Sequence, residues 1–356
     1  MPATPRPTKG FTVLRWGLLS TARINDRIID AVSRSDRSTL MAVGSRDDAR
    51  AQEYAQQHAI PLAFGDYQAL LDSDQVDAIY VSLPNHLHAE WSIAALEAGK
   101  HVLCEKPLAL TVAEVDRMTE AANRTGRVLQ EASAPRFHPQ TSEIASIIAS
   151  GRLGRILLCQ GTFEFTLPAT QDIRLDPEIG GGALWDVGCY PVTFFQAVLG
   201  ENPTVVYGRA FVGPTGVDLA FAGTMGYASG TSVQFTASMA TPMARSARIV
   251  GERGSLELDQ PWLTNIGGMT SVREWSMRAS TGAGTFGDDP GQLALTEWDY
   301  GPSDVYFDEL RGFEDIVLVG APSPYPLAES RINAEVITAL YESMRTGREV
   351  RVGTGS

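Results

Sequence analysis

The 356-residue sequence predicts an α/β protein of two domains: an N-terminal doubly wound parallel sheet, then an α+β domain with a large, mostly antiparallel, open-faced sheet. Three observations carry this. The length allows two separate cores. Residues 12–134 alternate short apolar runs with amphipathic stretches, the rhythm of parallel strands joined by right-handed helical crossovers. After about residue 135 that rhythm gives way to longer β-rich segments divided by glycine, the pattern of an antiparallel meander. The expected division is a disordered tail at 1–10, a dinucleotide-binding domain at 11–134 and a substrate-binding and oligomerisation domain at 135–356.

Each element has its own signal. Val13 to Leu19 is a short apolar strand, and Ala22 to Ser33 has helical spacing, with Ile24, Ile28, Ile29 and Val32 on or near one face. Thr39 to Gly44 is the second strand. Asp47 to His58 reads as a helix with acids at its amino end. A short strand at 63–64 and a short helix at 66–71 precede the strand Ala78 to Leu83. A helix at 89–98 ends at Gly99, which can supply a left-handed cap, and His101 to Cys104 is the next strand. Thr111 caps a helix over 112–125, and 128–130 is a further strand. Beyond these, a helix is expected at 140–150, a long strand at 155–165 and a single helix at 184–199. Strands are expected at 204–212, 219–228, 230–239, 246–250 and 254–258. Helices at 304–320 and 329–346 and a strand at 349–352 close the chain. Residues 265–303 are glycine-rich and weakly periodic, and carry no element.

Composition narrows the function. Apolar residues at 44% and charged residues at 20% suit a soluble globular chain. No run of 18 apolar residues is present, which argues against a membrane partner. Met1 to Gly10 has three prolines and no apolar core, so it does not read as a signal peptide. Cys104, Cys159 and Cys189 lie far apart, which suggests reduced thiols in a cytoplasmic protein rather than disulfides or zinc ligands. A net charge of −13 argues against a nucleic-acid partner. His86 and His88 have no acidic or cysteine companion, so no metal site is expected.

The chemistry-bearing segments follow strands. Glu105-Lys106-Pro107 sits beyond the fifth strand, where an open α/β sheet forms its ligand crevice. The residue before a proline is restricted to extended backbone, so Lys106 is held rigidly. At the first strand-to-helix turn, Ser20, Thr21, Ala22, Arg23 and Ile24 lead towards Asn25. Ser20 and Ala22 are small enough for a pyrophosphate to approach the helix amino end. After the second strand comes Ser45-Arg46, where an NAD enzyme usually places an acid for the ribose hydroxyl. A serine donor and an arginine instead suit a 2′-phosphate, which favours NADP over NAD. In Gly180-Gly181-Gly182-Ala183-Leu184-Trp185-Asp186-Val187-Gly188-Cys189-Tyr190-Pro191, the glycines let backbone pass close to another body. Asp186 and Tyr190 are four apart, so a helix places them on one face.

The decapeptide Ala98 to Pro107 resembles the A-G-K-H-V-x-C-E-K-P signature of the glucose–fructose oxidoreductase and inositol dehydrogenase family. The glycine run resembles that family's G-G-G-x-x-x-D-x-G-x-[HY]. The resemblance spans residues 12–352; 15–25 looks like the branch of dihydrodiol dehydrogenases and NADP-dependent xylose dehydrogenases, and the tyrosine of the glycine-run motif resembles that of the dihydrodiol dehydrogenase and ketosugar reductase branches. It implies a Rossmann domain whose usual G-x-G-x-x-G is replaced here by Ser20, Ala22 and Asn25. It also implies nicotinamide contacts at Leu83, Pro84 and Asn85, with His88, Glu105 and Lys106 beside the cofactor. For catalysis it implies Tyr190 as general acid/base. A free tyrosine has a pKa near 10, which a nearby cation lowers, and Lys106 is that cation. Asp186 would orient substrate hydroxyls or Lys106. Arg136 and His138, in a stretch resembling the family's R-[FH]-H-P-Q, together with Phe165 and Arg174, are candidate substrate contacts. Phe163, two residues before Phe165, could join them or simply pack in the core.

The function expected is NADP-dependent interconversion of a hydroxyl and a carbonyl on a sugar or cyclic polyol, as an aldose 1-dehydrogenase or ketosugar reductase. Two alternatives stand beside it: a trans-dihydrodiol dehydrogenase, and a non-catalytic NADP-sensing regulatory protein. The presence of both Lys106 and Tyr190 argues for catalysis. A homodimer or homotetramer through the second domain's sheet is expected, because strands rich in Val, Phe, Thr and Met between 204 and 250 would otherwise expose an apolar patch.

Overall fold

The computed structural model describes residues 13–168, 172–262, 271–277, 293–301 and 304–353. The tail expected at 1–10 and residue Gln171 lie outside these. The first sheet is built by β1 (Leu14–Leu19), α1 (Asn25–Arg34), β2 (Ser38–Gly44), α2 (Asp48–Gln57), β3 (Leu62–Phe64), α3 (Tyr67–Leu71), β4 (Ala78–Val81), α4 (His88–Glu97), β5 (His101–Glu105), α5 (Val112–Thr125) and β6 (Leu129–Ala132). All its pairs are parallel, in the order β3-β2-β1-β4-β5-β6. The order reverses between β1 and β4, and such a switch point is where doubly wound sheets bind ligands. Two helix starts are fixed by side-chain caps. Asp47 accepts from the Arg50 backbone N–H, and Thr111 forms a reciprocal capping box with Glu114.

The rest of the chain supplies α6 (Pro139–Ala149), β7 (Ile156–Thr166), a π-helical turn at Leu184–Gly188, α7 (Cys189–Leu199), β8 (Pro203–Val212), β9 (Asp218–Tyr227), β10 (Ser232–Ser238), β11 (Ala240–Gly251), β12 (Gly254–Leu258), β13 (Ser271–Met277), β14 (Leu293–Asp299), α8 (Val305–Val319), α9 (Leu327–Thr346) and β15 (Val350–Arg351). The second sheet has the order β14-β13-β12-β11-β7-β10-β9-β8-β15. It is mostly antiparallel but not a plain meander. β7 inserts between β10 and β11 and runs parallel to β10. β11 is longer than its sequence signal, and its ladder with β7 breaks between Ala240 and Ala244, around Pro242, which has no N–H to donate.

The chain divides into two compact units: residues 1–137, 178–181 and 306–334 in the first, and 138–177, 182–305 and 335–356 in the second. The return of 306–334 has a packing cause. Leu310, Phe313 and Val317 form one stripe of α8 and bury against Leu14, Trp16 and Leu18 of β1. In the second unit, Val206, Phe221, Met225, Val233, Phe235 and Ala237 all point to the buried face. The other face presents Gln160, Thr162, Tyr207, Arg209, Thr224, Gln234 and Thr236, which line a shallow cavity of about 350 Å³. Period-two alternation thus corrects the expected patch: the large apolar side chains named above are inside, and the open face carries glutamine, threonine, tyrosine and arginine beside Gly161, Ala222 and Gly223.

Candidate active site

In the first unit, the turn after β1 is held by side chains. Ser20 has φ 137°, a region that glycine usually occupies. Its hydroxyl lies 2.8 Å from Ser82 Oγ, donates to the Ser82 carbonyl at 3.0 Å and accepts from the Ala22 N–H. Asn25 Nδ2 donates to the Ser20 carbonyl, and Ser82 Oγ donates to Asn25 Oδ1 at 2.6 Å. Ser82 follows β4, so this network ties together the two strands of the switch point. The helix starts at Asn25, three residues later than its spacing suggested, because i→i+3 bonds from Asn25, Asp26 and Arg27 to Ala22, Arg23 and Ile24 make a tight entry turn. Thr21, Ala22 and Ile24 are half-buried there, and Arg23 is exposed.

Ser45 is buried, its Oγ accepting from the Asp47 N–H, while Arg46 is exposed and its charge lies near Tyr67. The Asp47 carboxylate is turned into its helix cap. Leu83 is buried and Pro84 half-buried. The Asn85 side-chain amide donates to the Gly180 carbonyl at 2.9 Å, and a Cβ on Gly180 would stand 2.7 Å from Leu110. The first part of the glycine run thus belongs to the first unit, beside the segment after β4. His86 is exposed, whereas the buried His88 ring sits between two carbonyls, with Nε2 2.8 Å from the Leu83 oxygen and Nδ1 2.8 Å from the Pro107 oxygen. Burial lowers its pKa more than those carbonyls raise it. His88 therefore braces the loop after β4 against Glu105-Lys106-Pro107, whose Lys106–Pro107 peptide is cis.

Glu105 accepts hydrogen bonds from Tyr80 Oη and, at 3.2 Å, from the Lys106 N–H. Glu131 accepts from the Leu108 N–H at 3.1 Å. Glu309 of α8 is fully buried near both acids; burial first, and then their charges, raise its carboxyl pKa. Sequence reasoning missed Glu309, which carries no local signal. Arg136 is engaged within the first unit by Glu329 at 2.7 Å, the Pro324 carbonyl and the Tyr325 ring.

In the second unit, His138 caps α6 by accepting from the Gln140 N–H, and burial pushes its pKa down to about 4, so it is neutral near pH 7. Phe165 joins a small cluster with Ala183, Val217 and Met239. The expected single helix at 184–199 is in fact a π-helical turn followed by α7. Such turns recur at functional sites. Between Gly182 and Gln196, only Asp186 and Tyr190 are not buried. Tyr190 packs edge-on against Phe163, with ring centroids 5.0 Å apart. Asp186 takes a 2.7 Å ion pair from Arg174 Nε, and Arg174 also reaches Asp172 at 3.2 Å. Burial disfavours the charged guanidinium, but its two carboxylates outweigh that and raise its pKa.

Comparison with known proteins gives the class first. The model of the oxidoreductase family with an NAD-binding Rossmann fold, GFO/IDH/MocA, matches residues 14–133, and that of the GFO/IDH/MocA C-terminal domain matches 141–257. The chain is 35% identical to a D-xylose 1-dehydrogenase (NADP(+)) of Haloferax volcanii, covering 95% of this chain and 100% of that one. It is 33% identical to a trans-1,2-dihydrobenzene-1,2-diol dehydrogenase of Danio rerio, over 69% of this chain and 74% of that one. A 3-ketoreductase from Actinomadura kijaniata, solved with NADP and TDP-benzene, superposes with a TM-score of 0.83 at 26% identity, covering 93% and 98% of the two chains. The protein is an oxidoreductase and belongs to the GFO/IDH/MocA family.

Proposed function

We propose that the protein is an NADP-dependent oxidoreductase interconverting a hydroxyl and a carbonyl on a neutral sugar or cyclic polyol, with oxidation of an aldose at C1 as its leading reaction. The observation that carries this is the pairing of Asp186 and Tyr190 as the accessible residues of an otherwise buried helical segment. Similarity to the xylose dehydrogenase supports the substrate class. The turn after β1 fits a dinucleotide: it follows a strand at the switch point, precedes a helix and keeps a glycine-like φ.

Ser20, Thr21, Ala22, Arg23 and Ile24 would hold the pyrophosphate, Ser45 and Arg46 the 2′-phosphate, and Leu83, Pro84, Asn85 and Glu105 the nicotinamide half. NADP, when bound, supplies or accepts the hydride. Tyr190 Oη gives the proton to the oxygen of a reduced carbonyl, or takes it from an alcohol being oxidised. Lys106 polarises that oxygen and favours the phenolate. Asp186, fixed by Arg174, orients a neighbouring hydroxyl. Arg136, His88 and His138 support these groups from their buried positions.

A trans-dihydrodiol dehydrogenase is the second reading, supported by the similarity to that enzyme. A homodimer or homotetramer through the open sheet face, whose strands β8 and β11 also carry the exposed Phe211 and Met243, belongs to the same proposal, as does a cytoplasmic location, in keeping with three buried free thiols. Among the described residues, no helix is long and apolar enough to cross a membrane.

The test is a panel of D-xylose, other aldoses, inositol and trans-1,2-dihydrobenzene-1,2-diol with NADP and NAD, read by absorbance of the reduced nicotinamide. Turnover of an aldose with NADP is expected. Turnover of the aromatic diol alone selects the second reading, and binding of NADP without turnover of any member selects a sensor.

A further inference from the structure

We infer that Asp218, at the start of β9, is a positioning residue that seats the π-helical turn carrying Asp186 and thereby aims Tyr190. The inference rests on the catalytic reading of Tyr190. Asp218 is 3% exposed. Its Oδ2 accepts the Leu184 backbone N–H at 2.7 Å. Its Oδ1 accepts from Tyr341 Oη of α9 at 2.8 Å. The acceptor thus satisfies the first N–H of the segment, which no residue of that segment caps: Ala183 precedes it with helical backbone and makes no side-chain cap. A carboxylate in this place also opposes the positive end of the helix dipole.

The fit leaves no slack. A Cβ on Gly182 would stand 2.1 Å from Asp218 Oδ1 and 2.8 Å from Tyr341 Oη. Gly182 itself has φ 123° and accepts the Asp186 N–H through its carbonyl at 3.0 Å. A chain of contacts therefore runs from Tyr341 through Asp218 to the backbone of 182–186, and from there to Tyr190 one turn on. Asp218 acts on Asp186 and Tyr190 through this backbone path.

The test is a double-mutant cycle on the full chain with NADP and D-xylose, or with whichever member of the panel above is turned over. Asp218→Ala should lower kcat roughly 10–100-fold and leave the NADP KM within about twofold. Asp218→Asn keeps one acceptor oxygen and should recover most of the loss, and Tyr341→Phe should fall between wild type and Asp218→Ala. In a Tyr190→Phe background, Asp218→Ala should add little, because residues acting as a unit are not additive. Hydrogen exchange over 183–190 should rise in Asp218→Ala whatever the substrate. Multiplicative losses in the cycle, or a folded Asp218→Ala with unchanged kcat and exchange, overturn the inference. If Asp218→Ala does not fold, Asp218→Asn and Tyr341→Phe carry the cycle by the same criteria. Near-normal turnover in Tyr190→Phe alone would instead overturn the catalytic reading, and the exchange result would still decide whether Asp218 seats the segment.

Discussion

The turn after β1 has no glycine between residues 18 and 43, whereas the run before α7 keeps three in succession. Both carry a backbone conformation foreign to most side chains, with Ser20 at φ 137° and Gly182 at φ 123°. The difference lies in the surroundings. At Ser20 the side chain is itself a partner: its hydroxyl bonds Ser82 and the Ala22 N–H. Strained backbone of this kind costs on the order of 1–3 kcal/mol, and a few hydrogen bonds worth about 0.5–1.5 kcal/mol each offset it. At Gly182 there is no room for a side chain to help, because Asp218 already occupies the position of a Cβ. Torsional strain can be offset by new hydrogen bonds, but steric exclusion cannot.

The largest expected effect is at the second turn. Gly182→Ala meets both the φ penalty and the Asp218 carboxylate, and should destabilise the chain by about 3 kcal/mol or more. Thermal unfolding checks it; an unchanged transition would mean that the turn relaxes easily. The Asp218 carboxyl gives a pH signature of similar size. Burial raises its pKa to about 6 from 3.8, so the native chain holds this proton more tightly than the unfolded chain. That contribution to stability is fully present below about pH 3.8 and is lost as pH rises through about 6, by up to about 3 kcal/mol. Asp218→Asn cannot ionise, so between pH 4.5 and 7.5 it should gain stability relative to wild type. Parallel stability curves would contradict this.

Arg46→Ala should raise the NADP Michaelis constant about tenfold or more and spare NAD, since a lost charge-assisted contact is worth about 1.5–3 kcal/mol. An equal effect on both cofactors would remove Arg46 as the 2′-phosphate ligand. The first turn should respond least. Ser82→Ala removes the hydroxyl joining Ser20 to Asn25 and should cost about 1–2 kcal/mol. Ser20→Gly, which relieves the strain while losing the bonds, should lie within about 1 kcal/mol of wild type. A collapse in Ser20→Gly as large as that in Gly182→Ala would erase the distinction between the two turns.

Much of the first sheet was legible because its elements have local causes: acids at the start of α2, Thr111 as a cap, Gly99 with positive φ, and short apolar strands between helices. The second unit was less so. That β7 lies beside β10 depends on pairing across more than seventy residues, which no local pattern encodes. β13 and β14 fall within the stretch whose weak periodicity gave no signal. The spacing of Asp186 and Tyr190 was readable, but the π-helical turn beneath it was not, because it depends on Asp218, thirty-two residues beyond Asp186. Arg136 and His138 stand out in the sequence through the R-[FH]-H-P-Q resemblance; the pairing of Arg136 with Glu329 and the Pro324 carbonyl, and of His138 with the Gln140 N–H, was not readable from it.

The most direct measurement is the turnover of Tyr190→Phe with NADP and the best substrate of the panel, across the pH range. The change removes one oxygen and leaves the ring that packs on Phe163. Turnover should fall roughly 10²–10⁴-fold, the span of a general acid/base, with NADP affinity little changed. Near-normal turnover at every pH would contradict the assignment of Tyr190 as the proton-transfer group and leave Lys106 to supply the proton, since His138 is a neutral helix cap.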